Sequence, residues 1–150
     1  MKALIATDGT PHAIEAAHDA VRLLHPDISY EIVRVIREEE DPNESAGGFE
    51  GPLVTPEEAA AQHRAEANQA QEDLATTLAA TGETATISVV EGNDAGREIC
   101  LVAAERRADV LVIGASDKGW FRRLMSGSVM EYAAHHAPCP VLIVRHGDPA

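Results

Sequence analysis

The feature that most constrains this chain is a regular alternation of short apolar segments with longer segments of helical character. The apolar segments are rich in β-branched residues, which is typical of strands buried on both faces. They cover residues 2–7, 29–36, 84–90, 110–113 and 140–144. Strands that alternate with helices form right-handed crossovers. We therefore predict an α/β fold, an open, doubly wound, five-stranded parallel sheet with helices on both faces.

Capping residues mark where the helices between these strands begin. Thr10 and Thr55 are each followed by a proline that suits the first helical position. Glu58 completes a capping box with Thr55. The apolar stripes predicted to face the sheet comprise Ile14, Ala17, Val21 and Leu24 in the first helix, and Ala67, Ala70, Leu74 and Leu78 in the second.

The length of the chain, 150 residues, fits one domain with an adequate core. We predict a single domain over residues 1–150 with a flexible acidic loop at about residues 37–54, a polar stretch without hydrophobic periodicity. The two cysteines, Cys100 and Cys139, are too few for a disulfide scaffold and indicate reduced thiols in a cytoplasmic protein. No apolar run approaches the roughly 20 residues that span a bilayer.

The charge balance excludes two classes of partner. Twenty-five acidic residues against 12 basic ones give a formal net charge of −13. Such a field repels the phosphate backbone of nucleic acids and anionic membrane surfaces, so we expect neither as a partner. A small anion can still bind where backbone dipoles and local cations converge.

Ligands of doubly wound sheets bind at the carboxyl ends of strands, where the strand order reverses. The segments expected there are the turn over residues 8–10 and the loop over residues 114–128. Gly127 and Ser128 end this loop, and a capping box that begins at Ser128 leaves backbone amides free for an anion. The same loop contains three of the 12 basic residues: Lys118, Arg122 and Arg123. The alternative is an ordinary capped helix that follows a solvated loop.

These segments resemble the universal stress protein family over essentially the whole chain. The resemblance rests on the Asp-Gly-Thr turn at residues 8–10, on Gly114 and the Gly-Ser-Val of residues 127–129, and on the His-His-Ala-Pro-Cys-Pro-Val-Leu-Ile-Val of residues 135–144. It implies the five-stranded fold of the adenine nucleotide alpha hydrolase-like class and a homodimer. In one branch of the family it also implies an ATP site with the motif G-x2-G-x9-G-[ST]. Gly114, Gly127 and Ser128 match that motif in register.

Asp117 stands where the motif has its middle glycine. That glycine lets the backbone approach phosphate oxygens. A carboxylate about 5 Å from one phosphate charge costs about 3 kcal/mol at an effective dielectric constant of ~20. The affinity for ATP then falls by about a hundredfold. Three interpretations stay open: neighbouring cations offset part of this cost, Asp117 holds a Mg²⁺ ion beside the phosphates, or Gly119 relieves the backbone in a shifted loop.

The resemblance also implies roles for single residues. Asp8 would contact the adenosine part of the nucleotide, and Val35 or its neighbours would flank the adenine. The residues implied at the phosphates are Gly114, Asp117, Gly127, Ser128 and Val129. From the residues alone, Asp8 is equally well a solvated turn residue, and Val35 is more simply a core residue.

Neither catalytic residues nor a metal site are predicted. The sequence has no P-loop motif and no nucleophile elbow. His135 and His136 are adjacent, so on a helix they point about 100° apart and do not chelate one ion. We expect a stress-response module that binds ATP and acts as a switch or a slow ATPase. The alternative is a dimer of the same family that binds no nucleotide and works through protein contacts.

The last predicted strand, residues 140–144, is short and very apolar. At the edge of a sheet, such a strand exposes unpaired backbone groups and apolar side chains together. We therefore expect a homodimer that forms through this C-terminal strand.

Overall fold

The computed structural model describes residues 1–39, 55–82, 84–115 and 129–145. The strands in these ranges are β1 (Lys2–Ala6), β2 (Ser29–Ile36), β3 (Ala85–Glu91), β4 (Val110–Ala115) and β5 (Val141–Arg145). The helices are α1 (Pro11–Leu23), α2 (Pro56–Ala80), α3 (Ala95–Glu105) and α4 (Val129–His136). The five expected strands are present with ends shifted by at most two residues. The predicted acidic loop lies outside the described residues from residue 40 onward.

The strands form one parallel sheet in the order β3-β2-β1-β4-β5. In the central strand, Ala6 pairs with Val33 of β2 on one side and with Ile113 of β4 on the other. The chain builds outward from β1 to β3 and then returns to the opposite side of β1. This reversal lies between β1 and β4, where doubly wound sheets open a crevice at their carboxyl edge. The predicted fold class is confirmed.

Each face of the sheet has its own hydrophobic core, because successive strand residues point to opposite faces. On one face α1 packs on β4 and β5 and α2 packs on β2 and β3, with Ala17, Leu74, Ile5 and Ile32 fully buried. On the other face α3 packs on β2 and α4 on β5, with Ile99, Ala133, Leu4 and Val33 buried. In the described ranges, no helix is both long and apolar enough to cross a membrane.

Helices α1 and α2 begin at the predicted caps. The Thr10 hydroxyl accepts a hydrogen bond from the backbone N–H of Ala13 at 3.4 Å. The Thr55 backbone donates to Glu58 at 2.9 Å, and the Glu58 backbone donates to the Thr55 hydroxyl at 3.2 Å. The hydrogen bond with the Thr55 backbone is the main cause that lowers the pKa of the Glu58 carboxyl group, and the hydrogen bond with the Thr55 side chain adds to it. The predicted cap of α4, Ser128, lies outside the described residues.

The buried stripe of α1 differs from the predicted one. Its buried residues are Ala13, Ala16, Ala17 and Ala20, whereas Ile14 is half-buried. The reason is Gly114, which lies within β4 and has no side chain to hold the helix away. A Cβ at Gly114 would lie 2.8 Å from the His12 carbonyl oxygen and 3.0 Å from Ala16 Cβ. The alanine side of α1 therefore packs directly on β4.

This contact predicts that Gly114→Ala destabilises the ligand-free protein by about 1–3 kcal/mol, since the added methyl overpacks the interface with α1. The free energy of unfolding in urea measures the effect. Unchanged stability without ligand would mean that the glycine serves a ligand and not the packing of α1.

Candidate functional site

The turn after β1 holds Asp8 at the carboxyl end of the central strand. Asp8 Oδ1 accepts two hydrogen bonds from Thr10, one from the backbone N–H at 3.0 Å and one from the hydroxyl at 2.6 Å. The Thr10 hydroxyl also accepts the N–H of Ala13 and so links Asp8 to the first turn of α1. No described residue donates a hydrogen bond to Oδ2. One carboxylate oxygen of Asp8 thus stabilises the turn through both hydrogen bonds with Thr10.

The next residue in this turn, Gly9, lies directly against α2. It has a left-handed backbone with φ of 76°, which favours glycine. A Cβ there would also collide with the Asp73 carboxyl group. The side chain of Asp73 is only 11% exposed, and its Oδ2 lies 3.3 Å from Arg34 Nε. Gln69 Nε2 donates to the other carboxylate oxygen of Asp73 at 3.0 Å, so the turn rests on an ion pair between β2 and α2.

A second contact joins the same turn to α2. The hydroxyls of Thr7 and Thr77 lie 3.0 Å apart, and both residues are buried. The Gly9 N–H donates to Thr7 Oγ1 at 3.2 Å. Sequence reasoning missed both Asp73 and Thr77. A signal for Thr77 was present, because it is a polar residue three positions after Leu74 on the side of α2 predicted to face the sheet.

Val35, the residue predicted to flank the adenine, lies near the end of β2. Its side chain is buried in the core beneath α3, which is the position that the simpler interpretation gave it. Its carbonyl oxygen accepts a hydrogen bond from Arg34 Nη1 at 2.5 Å. Because the same guanidinium pairs with Asp73, the end of β2 is tied to the turn after β1.

Gly114, expected at the start of the loop, is instead the second-last residue of β4, and it faces the first turn of α1. Ala6 and Ile113 are partners in the sheet, so Gly114 lies one step beyond the end of β1. Its approach to the His12 carbonyl brings the end of β4 beside the turn after β1. The other loop residues of the predicted phosphate site, Asp117, Gly127 and Ser128, lie outside the described residues.

Val129, the last residue implied at the phosphates, begins α4. Its side chain is half-buried and packs against the core beneath α3. Gly96 of α3 allows a close approach, since a Cβ there would lie 2.9 Å from Tyr132 Cβ and 3.4 Å from Val129 Cα. The Val129 side chain therefore serves packing, which leaves its backbone for any contact with a phosphate.

An acidic groove lies beyond the ends of β2 and β3. Its charged lining residues are Arg37, Glu38, Glu39, His63 and Glu66. The Arg37 backbone N–H donates to Glu66 Oε1 at 3.3 Å. His63 Nε2 lies 3.2 Å from Glu91 Oε1, without the geometry of a hydrogen bond. The excess of carboxylates disfavours phosphate binding beyond the ends of β2 and β3.

The histidine pair at the end of α4 makes local contacts. The His136 ring stacks on Tyr132 with centroids 4.2 Å apart, and His136 Nδ1 lies 3.0 Å from the Tyr132 carbonyl oxygen. The rings of His135 and His136 meet edge to face at 6.4 Å. In the part of the chain that the structure describes, no group of three or more His, Cys, Asp or Glu side chains could hold a metal ion.

Comparison with known sequences identifies the class of protein. The model of the universal stress protein family matches residues 1–145, so the chain belongs to this family, as the resemblance indicated. Universal stress protein PHOS34 of Arabidopsis thaliana is 32% identical over 79 residues, 51% of this chain and 30% of that protein. Universal stress protein MJ0531 of Methanocaldococcus jannaschii is 40% identical over 48 residues, 32% of this chain and 28% of that protein. The matched part of the chain thus spans less than a third of the length of these relatives.

Solved structures share the fold at low sequence identity. A universal stress protein family member from Burkholderia pseudomallei has a TM-score of 0.67 at 22% identity, covering 95% of this chain and 94% of that chain. A family member from Arabidopsis thaliana with AMP bound has a TM-score of 0.62 at 16% identity, covering 99% and 93%. The Archaeoglobus fulgidus protein in complex with dAMP has a TM-score of 0.60 at 17% identity, covering 95% and 96%.

Cys100 and Cys139 are free thiols that pack in the same core, on the face covered by α3 and α4. Burial is the main cause that raises the pKa of both thiols. For Cys100 the neighbouring Cys139 adds to the shift, and for Cys139 the charge of Asp109 does so. Both residues therefore remain thiols at neutral pH.

We expect the native protein to react slowly with iodoacetamide at pH 8, because the thiolate is the nucleophile and a raised pKa leaves little of it. The buried Cys100 should react more slowly than the half-buried Cys139. Mass spectrometry of native and urea-unfolded protein compares the two rates. Labelling of native Cys100 as fast as in the unfolded chain would contradict this assignment.

Proposed function

We propose that this chain is a cytoplasmic stress-response protein that binds an adenine nucleotide, ATP with Mg²⁺ in the first instance, between the carboxyl ends of β1 and β4. The observation that carries the proposal is the contact of Gly114 with the first turn of α1. Through this contact the first glycine of the motif, near the end of β4, adjoins the turn that holds Asp8. The AMP and dAMP complexes of proteins with the same fold support an adenine nucleotide as the ligand.

The charge distribution along the carboxyl ends of the strands favours one orientation of the bound nucleotide. Carboxylates dominate the groove beyond β2 and β3, and like charges repel phosphate there. The loop after β4 has the opposite character in sequence, with Lys118, Arg122 and Arg123. We infer that the adenosine lies toward β1 and β2, next to Asp8 and Val35, and that the phosphates point toward the loop after β4.

A nucleotide-dependent switch, with slow hydrolysis at most, fits this site better than a fast enzyme. Fast catalysis needs a positioned nucleophile or general base. The sequence has no P-loop motif and no nucleophile elbow. In the described ranges, no group of three or more His, Cys, Asp or Glu side chains could hold a catalytic metal ion.

Calorimetric titration tests the proposed ligand. The native chain should bind ATP–Mg²⁺ or AMP with a Kd below millimolar. Asp8→Asn keeps an oxygen for Thr10 but removes the charge, and it should weaken binding about tenfold, as expected for losing a charged hydrogen bond. Asp27→Asn is the matched control, because Asp27 is 89% exposed in the turn before β2, away from the carboxyl edge.

The variant Asp117→Gly separates the two versions of the proposal, because it restores the middle glycine of the family motif. If only this variant binds nucleotide, the native protein is the form that works through protein contacts. If neither protein binds below millimolar, the nucleotide proposal is wrong.

We also propose a homodimer through β5. The order of the sheet leaves β5 at one edge and β3 at the other. Ile143 of β5 is 37% exposed and Ile87 of β3 is 41% exposed. Pairing of β5 with a second copy would satisfy its outer backbone groups and bury Ile143 at the same time.

Sedimentation of the native chain at micromolar concentration should show a dimer, and Ile143→Lys should convert it to a monomer because a buried, unpaired charge is costly. Ile87→Lys, a change of the same kind on the opposite edge, should leave the dimer intact. A native monomer at this concentration would remove the proposal.

A further inference from the structure

Helix α2 packs against the turn that carries Asp8. We propose that Thr77 and Asp73 of α2 are positioning residues for adenosine recognition, an inference that rests on the proposed nucleotide site. They touch no part of the predicted site themselves. They act on the turn through Thr7 and Gly9, the two residues that flank Asp8 in space and sequence.

The hydrogen bonds between α2 and the turn have a defined direction. Thr77 Oγ1 donates its proton to the Asp73 carbonyl at 2.8 Å. A hydroxyl has one proton, so in the 3.0 Å contact with Thr7 it is Thr7 that donates and Thr77 that accepts. Thr7 Oγ1 in turn accepts the Gly9 N–H at 3.2 Å. The series of hydrogen bonds therefore runs in one direction, from the Gly9 amide through two buried hydroxyls to the backbone of α2.

This series of hydrogen bonds is informative because a buried hydroxyl is costly unless it has a hydrogen-bond partner. Thr77 is fully buried and Thr7 is 6% exposed, and valine has nearly the shape of threonine. A pair of valines would fill the same space without any polar group. What the hydroxyls add is a fixed acceptor for the Gly9 N–H, the peptide group that immediately follows Asp8.

The carboxylate of Asp73 fixes the same turn from a second direction. It lies where a side chain of Gly9 would be and pairs with Arg34, whose Nη1 donates to the Val35 carbonyl. One residue of α2 is thus linked to both segments predicted to hold adenosine. A shift of α2 would move Asp8 relative to Val35, and a fixed α2 keeps their spacing constant.

Three variants test the role of the Thr77 hydroxyl. Thr77→Val removes the hydroxyl and should weaken binding of adenosine and AMP about fivefold each, the effect of losing one hydrogen bond. Thr77→Ser keeps the hydroxyl and should bind within about twofold of the native protein. The control is Thr76→Val, because exposed Thr76 donates to the Glu72 carbonyl in the same way, at 3.0 Å, and binding should be unchanged.

Calorimetry gives the affinities, and hydrogen exchange of the Gly9 amide, followed by NMR without ligand, gives a readout that packing alone does not move. Faster exchange at Gly9 in Thr77→Val, but not in Thr76→Val, is expected. If the native protein binds and Thr77→Val binds equally well, or Gly9 exchange is unchanged, the positioning role is wrong. If the native protein binds neither adenosine nor AMP, the proposed nucleotide site and the positioning role both fail.

Discussion

The close packing of α1 on β4 is the contact on which the rest of the structure depends. It is possible because Gly114 has no side chain and because α1 presents alanines to the sheet. A larger residue on either side would push α1 away, open the core on that face and separate the turn after β1 from the end of β4. The glycine that the family motif assigns to phosphate binding therefore has a first role in the fold, whether or not a ligand is present.

The sequence predicts the architecture well and the contacts of α1 and α2 poorly, for a physical reason. Strand positions follow from short β-branched segments, and helix starts follow from local caps such as Thr10 and Thr55, so both are encoded within a few residues. The burial of Ala13 and Ala16 instead depends on Gly114, about 100 residues away in the chain. Helical periodicity favoured Ile14 because it counts hydrophobicity and does not see how closely two backbones approach.

The residues of the candidate site were likewise predictable only in part. Asp8 and Gly114 were predictable because they end buried strands, and parallel strands bring such ends to one edge. Asp73 and Thr77 were not, since they lie in mid-helix, where a carboxylate and a hydroxyl usually face solvent. Their burial follows from a meeting of α2 with the turn after β1, a contact over about 70 residues of sequence. No local pattern encodes such a contact, although a polar residue within an apolar stripe marks a position to inspect.

Few polar residues are buried in the described structure, and their positions are informative. They are Thr7, Glu31, Thr77 and Thr81. Thr81 donates to the Leu78 carbonyl where α2 ends, and Glu31 accepts from Ser88 near Arg106, so each is satisfied within its own surroundings. Thr7 and Thr77 instead form an ordered series, in which Thr7 donates to Thr77, Thr77 donates to the Asp73 carbonyl and Thr7 accepts the Gly9 N–H. A core that needed only volume at this point would have no use for that order. The pair is therefore better explained by the turn that it supports than by the core that it fills.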